Sequence, residues 1–270
     1  MTNHIRPKKS LGQNFLKDPH YIRRIVDAAQ VSTDDQVLEI GPGLGHLTRE
    51  LAARAKTVLA LELDERLIPI LREEFKERTN IEFVHADALE YPYDSLHGTW
   101  KVVANLPYYI STPIIQRLIA ARSKFISLTL MLQKEVAERI AAPPGGKEYG
   151  YISVVVQFHT MPRIEFMVPA GAFTPMPDVD SVVVTLRARE QTAVSVRSEE
   201  FFVRVIKAAF SQRRKKLSNT IRQLGLSKER TEHCLQSAGI DPGRRAETVS
   251  VEEFGRLADL LYAELSDNIR

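Results

Sequence analysis

A chain of 270 residues with 44% hydrophobic and 26% charged residues has an ordinary globular composition, sufficient for one large domain or one large and one small domain. No stretch approaches the ~18 consecutive apolar residues of a membrane span, and no apolar segment follows the basic N-terminus, so we expect no membrane or secretory segment and predict a cytoplasmic protein. The single cysteine, Cys234, excludes an intrachain disulfide, and no Cys/His cluster has zinc-site spacing, so no metal is expected.

The net charge is only +3, but basic residues are concentrated in two segments. The first 24 residues hold six Lys or Arg and one acid, and residues 201–230 hold nine Lys or Arg and one acid. Two basic segments on a near-neutral chain favour a polyanionic partner.

From Val37 to Val184, short β-branched runs alternate with amphipathic helical stretches such as LGHLTRELAARA and ERLIPILREEFKER. The runs that predict strands are QVLEIG, TVLALELD, IEFVHAD, KVVANLP, FISLTLML, YISVVVQF and SVVVTLRA. Because these runs are apolar without polar alternation, we expect strands covered on both faces, as in a mainly parallel sheet. The pattern predicts a doubly wound α/β domain.

The first strand runs into a glycine-rich turn, LEIGPGLGHLT (38–48), with Gly41, Gly43 and Gly45. Glycines allow a tight turn here and let a ligand lie against bare backbone amides. A dinucleotide fingerprint G-x-G-x-x-G that starts at Gly41 needs glycine at position 46, which is His46.

Polar side chains close the next three strands. Glu62 ends the second strand, 21 residues after Gly41, where an acid hydrogen-bonds the ribose hydroxyls of an adenosine cofactor. Asp87 ends the third strand, where a carboxylate can accept from an adenine amino group, and Asn105 ends the fourth. Each acid alone also suits a helix cap, but the carboxyl ends of these strands share one crevice. We therefore predict an adenosine-binding site there.

The glycine turn and the acid after the second strand resemble those of class I S-adenosylmethionine-dependent methyltransferases. The resemblance implies a Rossmann-like domain with a mainly parallel seven-stranded sheet, and S-adenosylmethionine as the cofactor. On these residues alone, a nicotinamide-dependent dehydrogenase is the alternative.

The stretch Asn105-Leu106-Pro107-Tyr108 resembles the amine-methylating signature [N/D/S]-P-P-[Y/F] of that superfamily. The N6 lone pair of adenine is delocalised into the ring, so acceptors bonded to the N6 hydrogens are needed to direct it towards a methyl group. The Asn105 side-chain carbonyl and a nearby backbone carbonyl can supply them. Pro107 biases Leu106 towards extended geometry. Tyr108 offers a face on which the base can stack. We therefore predict that Asn105, Leu106, Pro107 and Tyr108 are catalytic residues.

After Arg189 the strand pattern ends. SEEFFVRVIKAAFSQRRKKLSNTIRQLG has apolar residues at helical spacing, with Gly225 as its stop. SVEEFGRLADLLYAEL opens with Ser250 and Glu253, which form a capping box. We predict a Rossmann-like domain over residues 1–192, with the basic N-terminal segment, and a small all-helical domain over residues 193–270.

Longer motifs make the resemblance specific. In chain order they are KKSLGQNFLKD (8–18), EIGPGLG, ELD (62–64), NLPYYIST (105–112), MLQKEVAERI (131–140), GKEYG (146–150), FTPMPDVDSVV (173–183) and RRAETVSVEEF (244–254). Together they resemble the ribosomal RNA adenine dimethyltransferase family linked to kasugamycin sensitivity, over about residues 5–264. The resemblance implies N6,N6-dimethylation of two adjacent adenosines in a hairpin near the 3′ end of small-subunit (16S) rRNA. It also implies action on an assembling 30S particle, and we expect a monomer.

The motif match assigns roles to further residues. The implied cofactor-binding residues are Asn14, Leu16, Gly41, Gly43, Gly45, Glu62, Asp87 and Asn105. Phe173 of FTPMP would stack on the target base opposite Tyr108, with a purely structural role in the core as the alternative. Two departures from the family pattern bear on pocket shape: Met176 interrupts the prolines of F-x-P-P-P, and Tyr109 stands where the family often has asparagine.

The target adenines must leave any stack to reach such a pocket, which implies base flipping or single-stranded presentation. The candidate phosphate contacts are Lys8, Lys9, Arg213, Arg214, Lys215 and Lys216, although RRKK is also compatible with a solvated helix face. Two other functions stay open: a large-subunit rRNA adenine methylase of the macrolide-resistance type, and a non-catalytic rRNA-binding assembly factor.

Overall fold

The structure, a computed structural model, describes Lys8 and residues 11–267. The chain divides into two compact units. The first comprises Met1–Ala137 and Pro162–Ala188, and the second comprises Glu138–Met161 and Arg189–Arg270.

Nine strands are present in the described residues. They are β1 (Phe15–Leu16), β2 (Gln36–Ile40), β3 (Thr57–Glu62), β4 (Ile81–His85), β5 (Trp100–Asn105), β6 (Phe125–Gln133), β7 (Thr160–Val168), β8 (Phe173–Thr174) and β9 (Ser181–Ala188). Seven form one sheet in the order β4-β3-β2-β5-β6-β9-β7, and β1 pairs separately with β8. The strands from β4 to β6 run parallel to their neighbours, whereas β9 is antiparallel to β6. The predicted seven-stranded, mainly parallel sheet is confirmed.

The register of the sheet brings three strand ends together. Ile40, at the end of β2, lies beside Leu61 of β3 on one side and Ala104 of β5 on the other. The order of the strands reverses at β2, because the chain extends the sheet outwards through β3 and β4 before it returns to place β5 on the other side. Open α/β sheets bind ligands at such a switch point.

Ten α-helices cover the strands or pack together within the described residues. They are α1 (Pro19–Ala28), α2 (His46–Arg54), α3 (Ile68–Glu74), α4 (Ser111–Ala120), α5 (Lys134–Ala141), α6 (Tyr151–His159), α7 (Glu199–Ala209), α8 (Leu217–Ile221), α9 (Lys228–Ser237) and α10 (Val251–Asp267). None of them is long and apolar enough to cross a bilayer.

Local sequence explains where the helices that flank the site begin. Asp18 caps α1 by accepting a 2.8 Å hydrogen bond from the His20 N–H, and Pro19 occupies the first turn, where its missing N–H costs nothing. Ile22 and Val26 then face the core that β2, β3 and β5 share with α2. The predicted capping box of α10 is confirmed, because Ser250 and Glu253 exchange side-chain-to-backbone bonds of 2.8 and 3.2 Å.

Two sequence predictions about secondary structure were wrong. YISVVVQF forms helix α6, not a strand, and TMPRIEFMV, which was not predicted, supplies β7. A short apolar run without period fits a fully buried helix as well as a buried strand, and α6 is buried around most of its circumference. The long stretch after Arg189 is also not one helix: α7 ends at Ala209, and the charged run that follows lacks apolar residues at helical spacing.

The second unit has its own core. Phe158 of α6 stacks on Phe202 of α7 with ring centroids 4.2 Å apart, and Phe254 of α10 belongs to the same buried cluster. The first unit ends at Ala188, near the predicted boundary, but residues 138–161 group with the second unit. The proposed division at residues 192 and 193 stays a prediction.

Candidate active site

An open cleft with about 1050 Å³ of empty space, part of it open solvent, lies at the carboxyl ends of β2, β3 and β5. The lining residues come from six segments and one helix position: residues 11–16, 39–44, 46–47, 61–63, 86–88, 105–110 and 114. All of them belong to the first unit. The cleft therefore lies at the crevice that the strand order predicts.

The glycine-rich turn after β2 is shaped by close packing. A Cβ on Gly43, which has φ +58°, would lie 2.9 Å from Cδ1 of Phe15. A Cβ on Gly45, at φ +79°, would lie 2.6 Å from Cε2 of Phe75. Both positions therefore exclude any side chain. Gly41 and Gly43 line the cleft, but Gly45 does not, because it forms the N-cap of α2 and packs towards α3.

Glu62 stands at the end of β3 with its carboxylate bonded to two backbone amides. Oε2 accepts from the Gly43 N–H at 3.1 Å, and Oε1 accepts from the Asp64 N–H at 2.8 Å. Burial raises the pKa of Glu62, although these amides lower it. Each carboxylate oxygen has a second lone pair, so Glu62 can still accept from ligand hydroxyls while it holds the glycine turn in place.

Asp87 and its neighbours form the wall beyond β4. Oδ1 of Asp87 accepts a 2.8 Å hydrogen bond from the Leu89 N–H, so the residue caps a turn and also lines the cleft. Leu63 and Ala88 add apolar surface on either side. An apolar slot bounded by Glu62 and Asp87 suits an adenosine, with acceptors for ribose hydroxyls and for the adenine amino group.

Asn105 ends β5, and its amide orientation is fixed by the N-terminal segment. Nδ2 donates a 3.1 Å hydrogen bond to the Asn14 carbonyl. A carbonyl oxygen can only accept, so the nitrogen of the Asn105 amide must face Asn14. Within the described residues Oδ1 of Asn105 has no hydrogen-bond partner, and the residue lines the cleft. The site therefore presents a positioned, unused acceptor.

Tyr108 follows through a rigid turn. The Leu106 N–H donates to the Met131 carbonyl at 3.3 Å, and Pro107 has φ −57° and ψ 130°. The Tyr108 hydroxyl is 2.7 Å from Oγ of Ser181, and burial raises the pKa of Tyr108. The phenol is therefore neutral at physiological pH, and its ring is anchored at one end while it lines the cleft.

The N-terminal segment closes one side of the cleft. The Leu16 carbonyl lies 2.9 Å from Nδ1 of His46, and Nε2 of Gln13 donates to Oδ2 of Asp64 at 3.1 Å. Asn14 and Leu16, both predicted, thus come together with the strand ends. Sequence reasoning assigned no role to Gln13 or His46, although Gln13 lies within the motif KKSLGQNFLKD and His46 within the glycine-rich turn.

Glu39 is a buried acid of the cleft that the sequence analysis also missed. It lies one position before the end of β2, is 1% exposed, and lines the cleft. Burial raises its pKa to about 8. The neighbouring Thr48 hydroxyl partly offsets this rise, although neither Oγ1 of Thr48 nor the carboxylate oxygens make a hydrogen bond of good geometry within the described residues. The signal in the sequence was an acid inside the apolar run VLEI, where an ionised side chain is costly.

The structure does not bring every predicted residue to the cleft. Phe173 is 4% exposed, pairs with the cleft residue Leu16 between β8 and β1, and belongs to the same buried cluster, but it is not itself a lining residue. Its stacking role stays a prediction. Within the described residues, no group of three or more His, Cys, Asp or Glu is arranged to hold a metal ion.

The predicted RNA contacts that fall within the described residues do not line the cleft. Lys8 is exposed, and Lys9 falls outside the described residues. Residues 213–216 are exposed and form the loop between α7 and α8 in the second unit, where Arg213 donates to the Lys147 carbonyl. The four cations are thus on a loop, not on a helix face.

Comparison with known proteins places these features in a family context. A family model described as ribosomal RNA adenine dimethylase matches residues 5–263. A ribosomal RNA small subunit methyltransferase A from Clostridium botulinum is 48% identical over 257 residues, with 94% of each chain covered. A protein of the same name from Moorella thermoacetica is 47% identical over 266 residues, with 94% of this chain and 92% of that protein covered.

Two solved structures are also similar. The dimethyladenosine transferase from Plasmodium falciparum matches with a TM-score of 0.80 and 26% identity, covering 94% of this chain and 98% of that one. The 23S rRNA methyltransferase ErmE matches with a TM-score of 0.73 and 29% identity, covering 92% of this chain and 100% of that one.

Proposed function

The chain belongs to the ribosomal RNA adenine dimethylase family, and from that premise we propose that it transfers methyl groups from S-adenosylmethionine to N6 of two adjacent adenosines near the 3′ end of small-subunit rRNA. It is an rRNA methyltransferase, as its relatives are. The curated relatives named for the small subunit are 47–48% identical, against 29% for the 23S rRNA enzyme. The large-subunit alternative is therefore not favoured.

The observation that carries the chemistry is the Asn105 amide. With Nδ2 bound to the Asn14 carbonyl, Oδ1 is left as an acceptor at the cleft. The Leu106 carbonyl, next in the chain, accepts no hydrogen bond from the described residues. Two carbonyl acceptors on consecutive residues that line the cleft match in number the two hydrogens on adenine N6.

The residues of the cleft fit S-adenosylmethionine, since the glycine turn admits a ligand against its backbone and the acids at residues 62 and 87 suit an adenosine. When bound, this cofactor supplies a methyl group on a positively charged sulfur. Asn105 and the Leu106 carbonyl would accept from the N6 hydrogens, which would free the nitrogen lone pair from the ring for reaction with the methyl group. The nitrogen would then release one of these hydrogens as a proton. Positioning of this kind accounts for much of a transfer rate without a strong base.

Tyr108 supplies the surface for the target base. Because its hydroxyl is tied to Ser181 and its pKa is raised by burial, the ring is neutral and held at one end. Stacking on such a ring is worth about 1–3 kcal/mol per base. The adenine must leave its own stack to reach Tyr108, which implies base flipping or an unpaired target.

The exposed residues 213–216 and the exposed Lys8 would contact phosphates, and the same role is proposed for Lys9 from the sequence alone. Phosphate contacts carry no sequence information, so the choice of target would come from the shape of an assembling 30S particle. That substrate supports the proposed cytoplasmic location. We propose that the protein acts as a monomer.

The test uses small subunits from cells that lack this methylation, incubated with the protein and labelled S-adenosylmethionine. Label on two adjacent adenosines of the small-subunit RNA supports cofactor, chemistry and target together. Label on large-subunit RNA keeps the chemistry and overturns the target. Tight rRNA binding without label overturns the enzymatic proposal in favour of an assembly factor.

A further inference from the structure

Tyr109 has an unusual combination of position and exposure. It lines the cleft directly after the Asn105–Tyr108 stretch, yet it is 56% exposed. The hydroxyl of its neighbour Tyr108 is bonded to Ser181, whereas that of Tyr109 has no hydrogen-bond partner among the described residues. An exposed aromatic ring at the mouth of a cleft offers its face to a flat ligand that enters there.

The ring of Tyr109 packs against the backbone of Gly12. A Cβ on Gly12 would lie 3.1 Å from Cδ1 and 3.3 Å from Cε1 of Tyr109, so one edge of the ring rests against the Gly12 backbone. Gly12 is itself fixed, because its carbonyl accepts from Nδ2 of Asn14 at 3.3 Å, and Asn14 in turn binds Asn105. The ring is thus held by the same segment that orients the acceptor for the reacting adenine.

The chemistry of an open, pre-positioned aromatic ring selects a flat π-system as its ligand. The proposed function places an RNA strand at this cleft with one adenine turned into the pocket. A base next to a flipped nucleotide loses a stacking partner, and an aromatic side chain at the mouth can replace that partner.

We propose that Tyr109 forms a second base subsite, which stacks on the nucleobase adjacent to the adenine that reacts. The subsite rests on the proposed function and deepens it, because it reads the neighbour of the target. Tyr109 is then a substrate-binding residue that favours a target with a flat neighbouring base on the exposed side of the ring.

A different role would produce a different result. If Tyr109 only held residues 11–16 against the cleft, its loss would weaken binding of S-adenosylmethionine. The experiment therefore measures the cofactor Kd and the KM for RNA separately, using the full chain and unmethylated small subunits.

Tyr109→Leu keeps an apolar side chain but removes the ring. We expect it to raise the KM for small subunits about tenfold, with an unchanged Kd for S-adenosylmethionine, and Tyr109→Phe to rescue the KM. Tyr262→Leu, on α10 and outside the cleft, is the matched control for loss of a solvent-exposed tyrosine. A parallel rise in the cofactor Kd, or no change in KM, would overturn the subsite.

A second substrate identifies the ligand. Small subunits reconstituted with an abasic nucleotide beside the target adenosine remove the proposed stacking partner, so wild type and Tyr109→Leu should then show the same KM. A tenfold difference that persists on the abasic substrate contradicts the proposal. On intact unmethylated small subunits, absence of transfer by the wild type overturns the proposed function itself, whereas normal transfer without any Tyr109 effect contradicts the subsite alone.

Discussion

The side-chain nitrogen of Asn105 is bonded at 3.1 Å to the carbonyl of Asn14, so the end of β5 and the N-terminal segment form one structural element at the cleft. The bond fixes which end of the amide faces the ligand. It also makes the acceptor dependent on a segment 91 residues earlier in the chain.

Asn105→Ala removes the acceptor and the tie to Asn14. We expect kcat for methyl transfer to fall by about 10²-fold or more, as for the loss of one positioned polar group in an active site, while rRNA affinity is retained. Asn105→Asp separates the two roles, because a carboxylate still accepts from N6 but cannot donate to Asn14. It should retain more activity than the alanine variant. Near-normal transfer by Asn105→Ala would falsify the role assigned to this residue.

Glu62→Ala leaves the Gly43 and Asp64 amides without their carboxylate. We expect a loss of roughly 1–3 kcal/mol in unfolding free energy for a buried donor left unsatisfied, and at least a tenfold rise in the Kd for S-adenosylmethionine. Glu62→Gln retains one acceptor oxygen, so its unfolding free energy and its Kd for S-adenosylmethionine should lie between those of the wild type and Glu62→Ala. Calorimetric titration and urea unfolding give both quantities. Unchanged cofactor affinity in the alanine variant contradicts the assignment.

Glu39 makes stability depend on pH. Its pKa is about 8 in the folded chain, against an ordinary 4.5, so between these values the unfolded chain has lost a proton that the folded chain keeps. Stability conferred by the protonated form is complete below about pH 4.5 and falls by up to ~1.4 kcal/mol per pH unit as pH rises towards 8.

Glu39→Gln removes this proton equilibrium. The variant should match the wild type near pH 4.5 and exceed it in unfolding free energy by about 3 kcal/mol at pH 7. Urea unfolding across pH 4.5–8 measures the difference. Parallel pH profiles for the two proteins would show that Glu39 is not buried in its neutral form.

The loop of residues 213–216 is expected to act on RNA only through charge. Replacing Arg214, Lys215 and Lys216 by alanine should weaken rRNA binding and reduce the slope of log K against log salt by about 2. The kcat at saturating RNA should not change. Lys76→Ala, at an exposed cation of the first unit, serves as control. An unaltered salt slope in the triple variant excludes these phosphate contacts.

The sequence located the residues of the site better than the elements around it. Asn105, Glu62 and Gly41 were predicted to meet because each closes an apolar parallel strand, and strand ends share one edge of a sheet. Position in that pattern is sufficient when the strands are central and fully buried, as β2, β3 and β5 are.

A continuous apolar run predicts the wrong element when the segment is a fully buried helix. YISVVVQF consists of strand-forming residues, but it is helical because it is surrounded by apolar side chains of the second unit. The burial of Glu39 and the packing of Tyr109 against Gly12 depend on contacts between segments distant in sequence. No local rule of composition or spacing reports such contacts.

The division of the chain into units has a consequence for synthesis. Residues 138–161 interrupt the first unit, and β9, which pairs with β6, comes only after them. The main sheet therefore cannot be completed until about residue 188 has left the ribosome. Val154 and Phe158 can be buried only later, once Phe202 and Phe254 have been synthesised. The two units are interleaved in time as well as in sequence, so a fragment cut at residue 192 would carry α6 with its apolar surface uncovered and should aggregate instead of folding as an independent domain.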